Sequence, residues 1–168
     1  MVAQAYDPIW RQMKRRRASA DTILRFFMTA SGLSDLRPPI PIRHIAHWMQ
    51  IMVVDSPTLE CAGAVDSNPQ QAVIWLRQSD HETRKRFTLA HEIGHLILHP
   101  EGTMFRDEAF TGSTEESQAN GYGAGLLMPL WLVTPYARAA DYDVKQLAEA
   151  FEVSRPAMQV RLLKMVGL

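Results

Sequence analysis

The sequence holds a single cysteine, Cys61. No internal disulfide can form, so the core must carry the fold, and a reducing compartment suits the chain. No run of about 18 apolar residues occurs, which argues against a membrane-spanning helix, and the first residues lack an apolar signal region. Nor is there an excess of either charge: Lys plus Arg and Asp plus Glu number 18 each. That balance removes a global field for drawing the chain to nucleic acid or a lipid surface. Hydrophobic residues nonetheless make up 46% of 168 residues, enough for one sizeable core and too many for a disordered chain. A cytoplasmic globular protein is expected.

What is present begins with a basic N-terminal segment. Arg11, Lys14, Arg15, Arg16, Arg17 and Arg25 face only Asp7 and Asp21 within the first 30 residues. Residues 8–31 read as one helix, and the Lys14–Arg17 run as a solvated face of it rather than a phosphate site. Ser31-Gly32 stops this helix, and Arg37-Pro38-Pro39-Ile40-Pro41 is an extended connector. Residues 42–50 resume as a short helix. His44 and His47 lie three apart in it but lack acidic company, so they read as surface or capping histidines.

From Gln50 the period shortens. Ile51–Val54, Leu59–Val65 and Ala72–Leu76 read as three strands, with turns at Asp55-Ser56-Pro57 and Asp66-Ser67-Asn68-Pro69. The expectation is a small antiparallel three-stranded sheet packed on helices, an α+β fold. Cys61 reads as a small packed residue, because no partner motif surrounds it. Ser79-Asp80-His81-Glu82 then caps a helix from about His81 to Leu98, ended by Pro100-Glu101-Gly102. A polar loop follows, with Arg106, Asp107, Glu108, Thr111 and Gly112.

That helix holds the strongest signal in the chain, His91-Glu92-Ile93-Gly94-His95. Residues i and i+4 project from one side of a helix, so both imidazoles can reach a single cation. Glu92 then stands beside the ion, where a carboxylate can take a proton from water. Two histidines four apart also arise by packing alone. A glutamate on a core-facing helix, however, is costly to desolvate without a role, and Leu89, Ile93, Leu96 and Ile97 form such a face.

A catalytic zinc site takes three protein ligands and keeps one position open. A third His six residues past the second, with a Gly between, is excluded, since Glu101 and Leu98 occupy those places. His99 lies one turn beyond His95 and competes in principle, though it adjoins the helix-ending proline. The remaining source is a carboxylate on the next helix, where Ser113-Thr114-Glu115-Glu116 begins. Spacing leaves Glu116 and Glu115 both open, because an acidic first turn suits any helix. Asn120, one turn past Glu116, can orient His95 or a neighbouring ligand from behind.

Arg86-Phe87-Thr88-Leu89-Ala90-His91-Glu92-Ile93-Gly94-His95, Glu116-x-x-Ala119-Asn120 and Leu126-Leu127-Met128-Pro129 together resemble the ImmA/IrrE family of metallopeptidases. Pro38–Pro41 and the stretch from Leu147 to Leu162 resemble it too, so the likeness spans about residues 38–165. The resemblance implies a gluzincin-like fold and Zn²⁺, or Mn²⁺, held by His91, His95 and Glu116, with Glu92 as general base. It further implies a protein substrate, a helix-turn-helix transcriptional repressor cleaved under stress or during mobile-element induction. One departure stands out. Where the family places x-Phe-Ala-Ala, this chain has Gly121-Tyr122-Gly123-Ala124-Gly125. Three glycines weaken a helix by roughly 1 kcal/mol each relative to alanine, so they serve a close helix contact or leave the helix loose. Tyr122 reads as a core residue.

Three segments are therefore expected: a basic helix and connector over 1–37, a zincin-like metallopeptidase domain over 38–129, and a helical helix-turn-helix-like unit over 130–168. In the last, a helix runs from Met128-Pro129 to about Ala139, another starts at Asp141-Tyr142-Asp143, and Ser154 caps the third. Arg155, Gln159 and Arg161 would face DNA from a recognition helix. Four basic residues against four acidic ones from residue 141 onward are thin for duplex binding, so packing on the catalytic domain or docking of the substrate protein is the favoured role. The rival to a peptidase is a metal-bearing regulator or toxin–antitoxin component that binds protein or DNA without cutting.

Overall fold

The computed structural model describes residues 7–99, 105–106 and 113–165. The expected stop at Pro100-Glu101-Gly102 and the loop residues Asp107, Glu108, Thr111 and Gly112 lie outside that range. Among the described residues the architecture is α+β, with eight helices around one small sheet.

The expected single N-terminal helix is two: α1 (Ile9–Arg15) and α2 (Ala20–Ala30). Arg17 takes a left-handed backbone (φ 45°), and Ser19 caps α2 by accepting from the Thr22 amide. Breaking the helix there lets both pieces turn an apolar side inward, burying Trp10 and Met13 from one and Ile23, Leu24 and Phe27 from the other. Helix α3 (Ile42–Trp48) follows, with Ile42, Ile45 and Ala46 buried. His44 and His47 are exposed on its outer side.

Strands β1 (Ile51–Ser56), β2 (Gly63–Ser67), β3 (Ala72–Arg77) and β4 (Phe105–Arg106) form one sheet in the order β1-β3-β2-β4. The sheet is mixed, not antiparallel throughout. β2 and β3 form the expected hairpin, but β1 pairs parallel to β3, with Val53 opposite Ile74. An alternating pattern tells which side of a strand faces the core, not which neighbour it takes. β3 is the most apolar strand and occupies an inner position, leaving β1 to dock on its free edge. Ala72, Ile74 and Leu76 alternate inward along it. Asn68 closes the hairpin, its side-chain oxygen accepting from the Gln70 and Gln71 amides at 3.0 Å. Cys61 precedes β2 rather than lying in it, and its thiol contacts the Gly63 carbonyl.

Helix α4 (Glu82–Leu98) crosses the sheet with all residues from Thr88 to Ile97 buried. Fully burying Leu89, Ile93, Leu96 and Ile97 stabilises by about 1.5–3 kcal/mol each. Against its other side lies α5 (Thr114–Leu127), and then come α6 (Leu130–Ala139), α7 (Val144–Phe151) and α8 (Arg155–Met165). A single core joins α1 to α8, from Trp10 through Leu89 and Leu127 to Phe151 and Met158. Arg86 fastens distant segments to α4, donating to the carbonyls of Ile40 (2.9 Å) and Glu152 (3.3 Å). No described helix is long and apolar enough to cross a membrane.

Candidate metal centre

Helix α4 brings His91 and His95 to one side, and α5 lays Glu116 across them. The Nε2 atoms of the two histidines are 2.9 Å apart. Glu116 Oε2 lies 3.3 Å from His91 Nε2, and Glu116 Oε1 lies 3.1 Å from His95 Nε2. These three residues are the one group of metal-type ligands found among the described residues, their ligand atoms all within 4.8 Å of one another. Metal bonds of about 2.0–2.1 Å in a tetrahedron set neighbouring ligand atoms roughly 3.3 Å apart. The observed spacings lie at or somewhat below that figure, so two imidazoles and a carboxylate are placed close enough to hold a metal. The choice between Glu115 and Glu116 is decided by position: Glu115 is exposed, while Glu116 turns inward.

The helices meet closely because glycines line the contact. A Cβ on Gly123 would fall 3.0 Å from the His91 amide nitrogen, and one on Gly94 would fall 3.1 Å from the Ala119 Cα. The glycine-rich stretch is thus a close helix contact at Gly123, whereas Gly121 meets nothing within 4 Å. Gly63 plays the same part on the sheet side. A Cβ there would stand 2.4 Å from Thr88 Cγ2 and 2.9 Å from Glu92 Oε1. Glu92 is only 1% exposed, its carboxylate running beside the bare backbone of β2.

The outer ring nitrogens have partners as well. His91 Nδ1 lies 3.0 Å from Asn120 Oδ1, so Asn120 attends His91 and not His95. His95 Nδ1 instead lies 2.9 Å from His99 Nδ1. His99 is buried at the end of α4 and stands behind the cluster rather than in it. Its contact with His95 was legible only as a third histidine in the same i+4 series. Burial, with the His91 and His99 rings adding to it, pushes the His95 imidazole down to about 3, so it is neutral at neutral pH. Tyr122 is a core residue, as expected. Its hydroxyl donates to the Ala18 carbonyl at 2.5 Å, and burial raises its pKa.

The residue range 49–163 matches the family model described as the IrrE N-terminal-like domain, a peptidase family. The chain belongs to the IrrE N-terminal-like family. Its two-His, one-Glu cluster therefore sits in a peptidase-type fold, in agreement with the resemblance seen in the motifs. No curated protein matches the sequence. Among solved structures, a Mycobacterium tuberculosis transcriptional regulator is similar, with a TM-score of 0.58 and 16% identity over 92% of this chain. The chain spans 50% of that protein's length, and the likeness is one of fold.

A groove of about 780 Å³ opens beside His91 and Glu116. Phe87, Ala124, Met128, Ala157 and Val160 give it apolar walls drawn from α4, α5 and α8. Helix α8 thus borders the groove. Of the three expected DNA-facing residues, Arg155 and Gln159 are exposed, but Arg161 turns back to donate to the Met128 carbonyl at 2.7 Å.

Proposed function

We propose that the protein is a cytoplasmic zinc-dependent endopeptidase whose substrate is a helix-turn-helix transcriptional repressor. The observation that carries this reading is the cluster of His91, His95 and Glu116 with Glu92 buried on the same helix. A divalent ion held there supplies Lewis-acid polarisation of the scissile carbonyl and a water that is acidic near neutral pH. Glu92 accepts a proton from the attacking water and passes it to the leaving amine. A purely structural metal site has no need of that carboxylate. Asn120 fixes His91 with its Nε2 turned to the ion. The apolar groove alongside offers room for an extended polypeptide to lie across the ligands. Regulation of transcription as the setting is supported by the family and by the likeness to a mycobacterial transcriptional regulator. Binding DNA directly is the weaker reading, since Arg161 is committed to Met128.

The test is cleavage of a co-encoded repressor by the zinc-loaded protein, repeated with Glu92→Gln. The variant should retain its metal and lose cleavage. Undiminished peptide-bond cleavage by Glu92→Gln refutes the assignment, and no cleavage by either form returns the case to a non-cutting regulator.

A further inference from the structure

We infer that His99, held by Gln118 and Lys14, is a positioning residue that keeps His95 in the form that binds metal. This rests on the metal-centre reading above. A neutral imidazole carries one hydrogen, and only the bare nitrogen can bind an ion. The hydrogen must therefore be kept on His95 Nδ1, away from the Nε2 atom that faces His91 and Glu116. His99 Nε2 lies 3.3 Å from the Gln118 side-chain oxygen, an acceptor. With its own hydrogen committed to that oxygen, His99 presents a bare Nδ1 to His95 Nδ1 at 2.9 Å. The chain of contacts then runs in one direction, from His95 Nδ1–H to His99 and from His99 Nε2–H to Gln118.

The backbone of His99 is fixed by the N-terminal helix. Lys14 Nζ donates to the carbonyls of Leu96, at 2.6 Å, and of His99. An ammonium here satisfies carbonyls left over at a helix end and complements its negative pole. The basic run expected to be a solvated face therefore sends one member inward. Lys14 also lies outside the family match, which begins at residue 49. A segment beyond the peptidase domain thus braces the back of the metal centre.

The test is zinc affinity of the full chain, measured by competition with a chromophoric chelator. His99→Leu keeps bulk but removes the acceptor, and its affinity should fall about 10–100-fold, as for other groups that orient a metal-bound histidine. His99→Gln, whose amide oxygen can accept the same hydrogen, should bind more tightly than His99→Leu. Lys14→Met should fall between wild type and His99→Leu. Imidazole ¹⁵N spectra of the zinc-loaded wild type give a readout that needs no variant. His99 should carry its hydrogen on Nε2, with a coupling across the hydrogen bond between the two Nδ1 atoms. A protonated His99 Nδ1, or wild-type affinity in His99→Leu, overturns this inference and leaves the metal centre standing. Failure of the wild type to bind zinc at all overturns both.

Discussion

Gly121 and Gly123 lie two residues apart on one helix, and the same substitution should act in opposite directions at the two. Alanine at Gly121 meets nothing within 4 Å, so only helix propensity changes, a gain of about 0.8–1 kcal/mol. Alanine at Gly123 gains the same propensity but puts its Cβ 3.0 Å from the His91 nitrogen, 3.2 Å from the Ala90 carbonyl carbon and 3.3 Å from the His91 Cα. All three are backbone atoms, which cannot swing aside as a side-chain tip does. The helices must separate by a few tenths of an ångström, and overpacking of this kind costs about 1–3 kcal/mol. Propensity cancels when the two variants are compared, leaving that overpacking cost as the difference. In a domain of this size 1 kcal/mol moves Tm by about 2–4 °C. Thermal denaturation of the metal-free proteins should thus place Gly121→Ala above wild type and Gly123→Ala several degrees below Gly121→Ala. Zinc affinity should drop only in Gly123→Ala, because α5 carries Glu116 and Asn120 away from His91. Two variants with matching Tm and matching zinc affinity would refute the claim that bare backbone sets the helix spacing.

Three other perturbations follow from the same geometry. Gly63→Ala pushes on Glu92 Oε1 from 2.9 Å, and a displacement of about 1 Å in a catalytic group costs on the order of 100-fold in rate. Steady-state assay against a cleavable repressor should show that loss, with zinc content by elemental analysis unchanged. His95 is held to about 3 in the fold against about 6.5 in the unfolded chain, so the unfolded chain takes up its proton first. Stability of the metal-free protein should therefore decline as pH falls from about 6.5 towards 3 and be level in this respect above it, as urea melts across that range will report. Tyr122→Phe leaves the Ala18 carbonyl without its donor at the α1–α2 junction, a cost of about 1–3 kcal/mol readable in the same melts.

The pair of imidazoles was legible because its spacing is local. His91, Glu92 and His95 sit on one helix, where the i+4 rule alone brings the rings together. Glu116 needed the family resemblance, since nothing in its own turn separates it from Glu115; the packing of α5 does so. The strands were visible in their apolar alternation, but β1 joining β3 in parallel was not, because pairing partners leave no mark in a period of two. The break between α1 and α2 was hidden for a related reason. Arg17 adopts a left-handed backbone that glycine or asparagine would usually announce. Lys14 read as solvent-facing because its acceptors, the carbonyls at the end of α4, lie more than 80 residues away. Which ring Asn120 would meet was open in the spacing, and the packing of α5 on α4 gives it His91.

Gly94 lies within the His-Glu motif, and Gly63 and Gly123 lie against it from the strand and from the helix contact, each at a spot where an added methyl group would press on its neighbours. Walls of main chain have no rotamers to exchange. At Gly123 the neighbouring atoms are all backbone, so making room there takes displacement of a whole helix, which is costly compared with a side-chain flip. The close fit around the motif is built from omission, and a single added carbon at any of these places would crowd it.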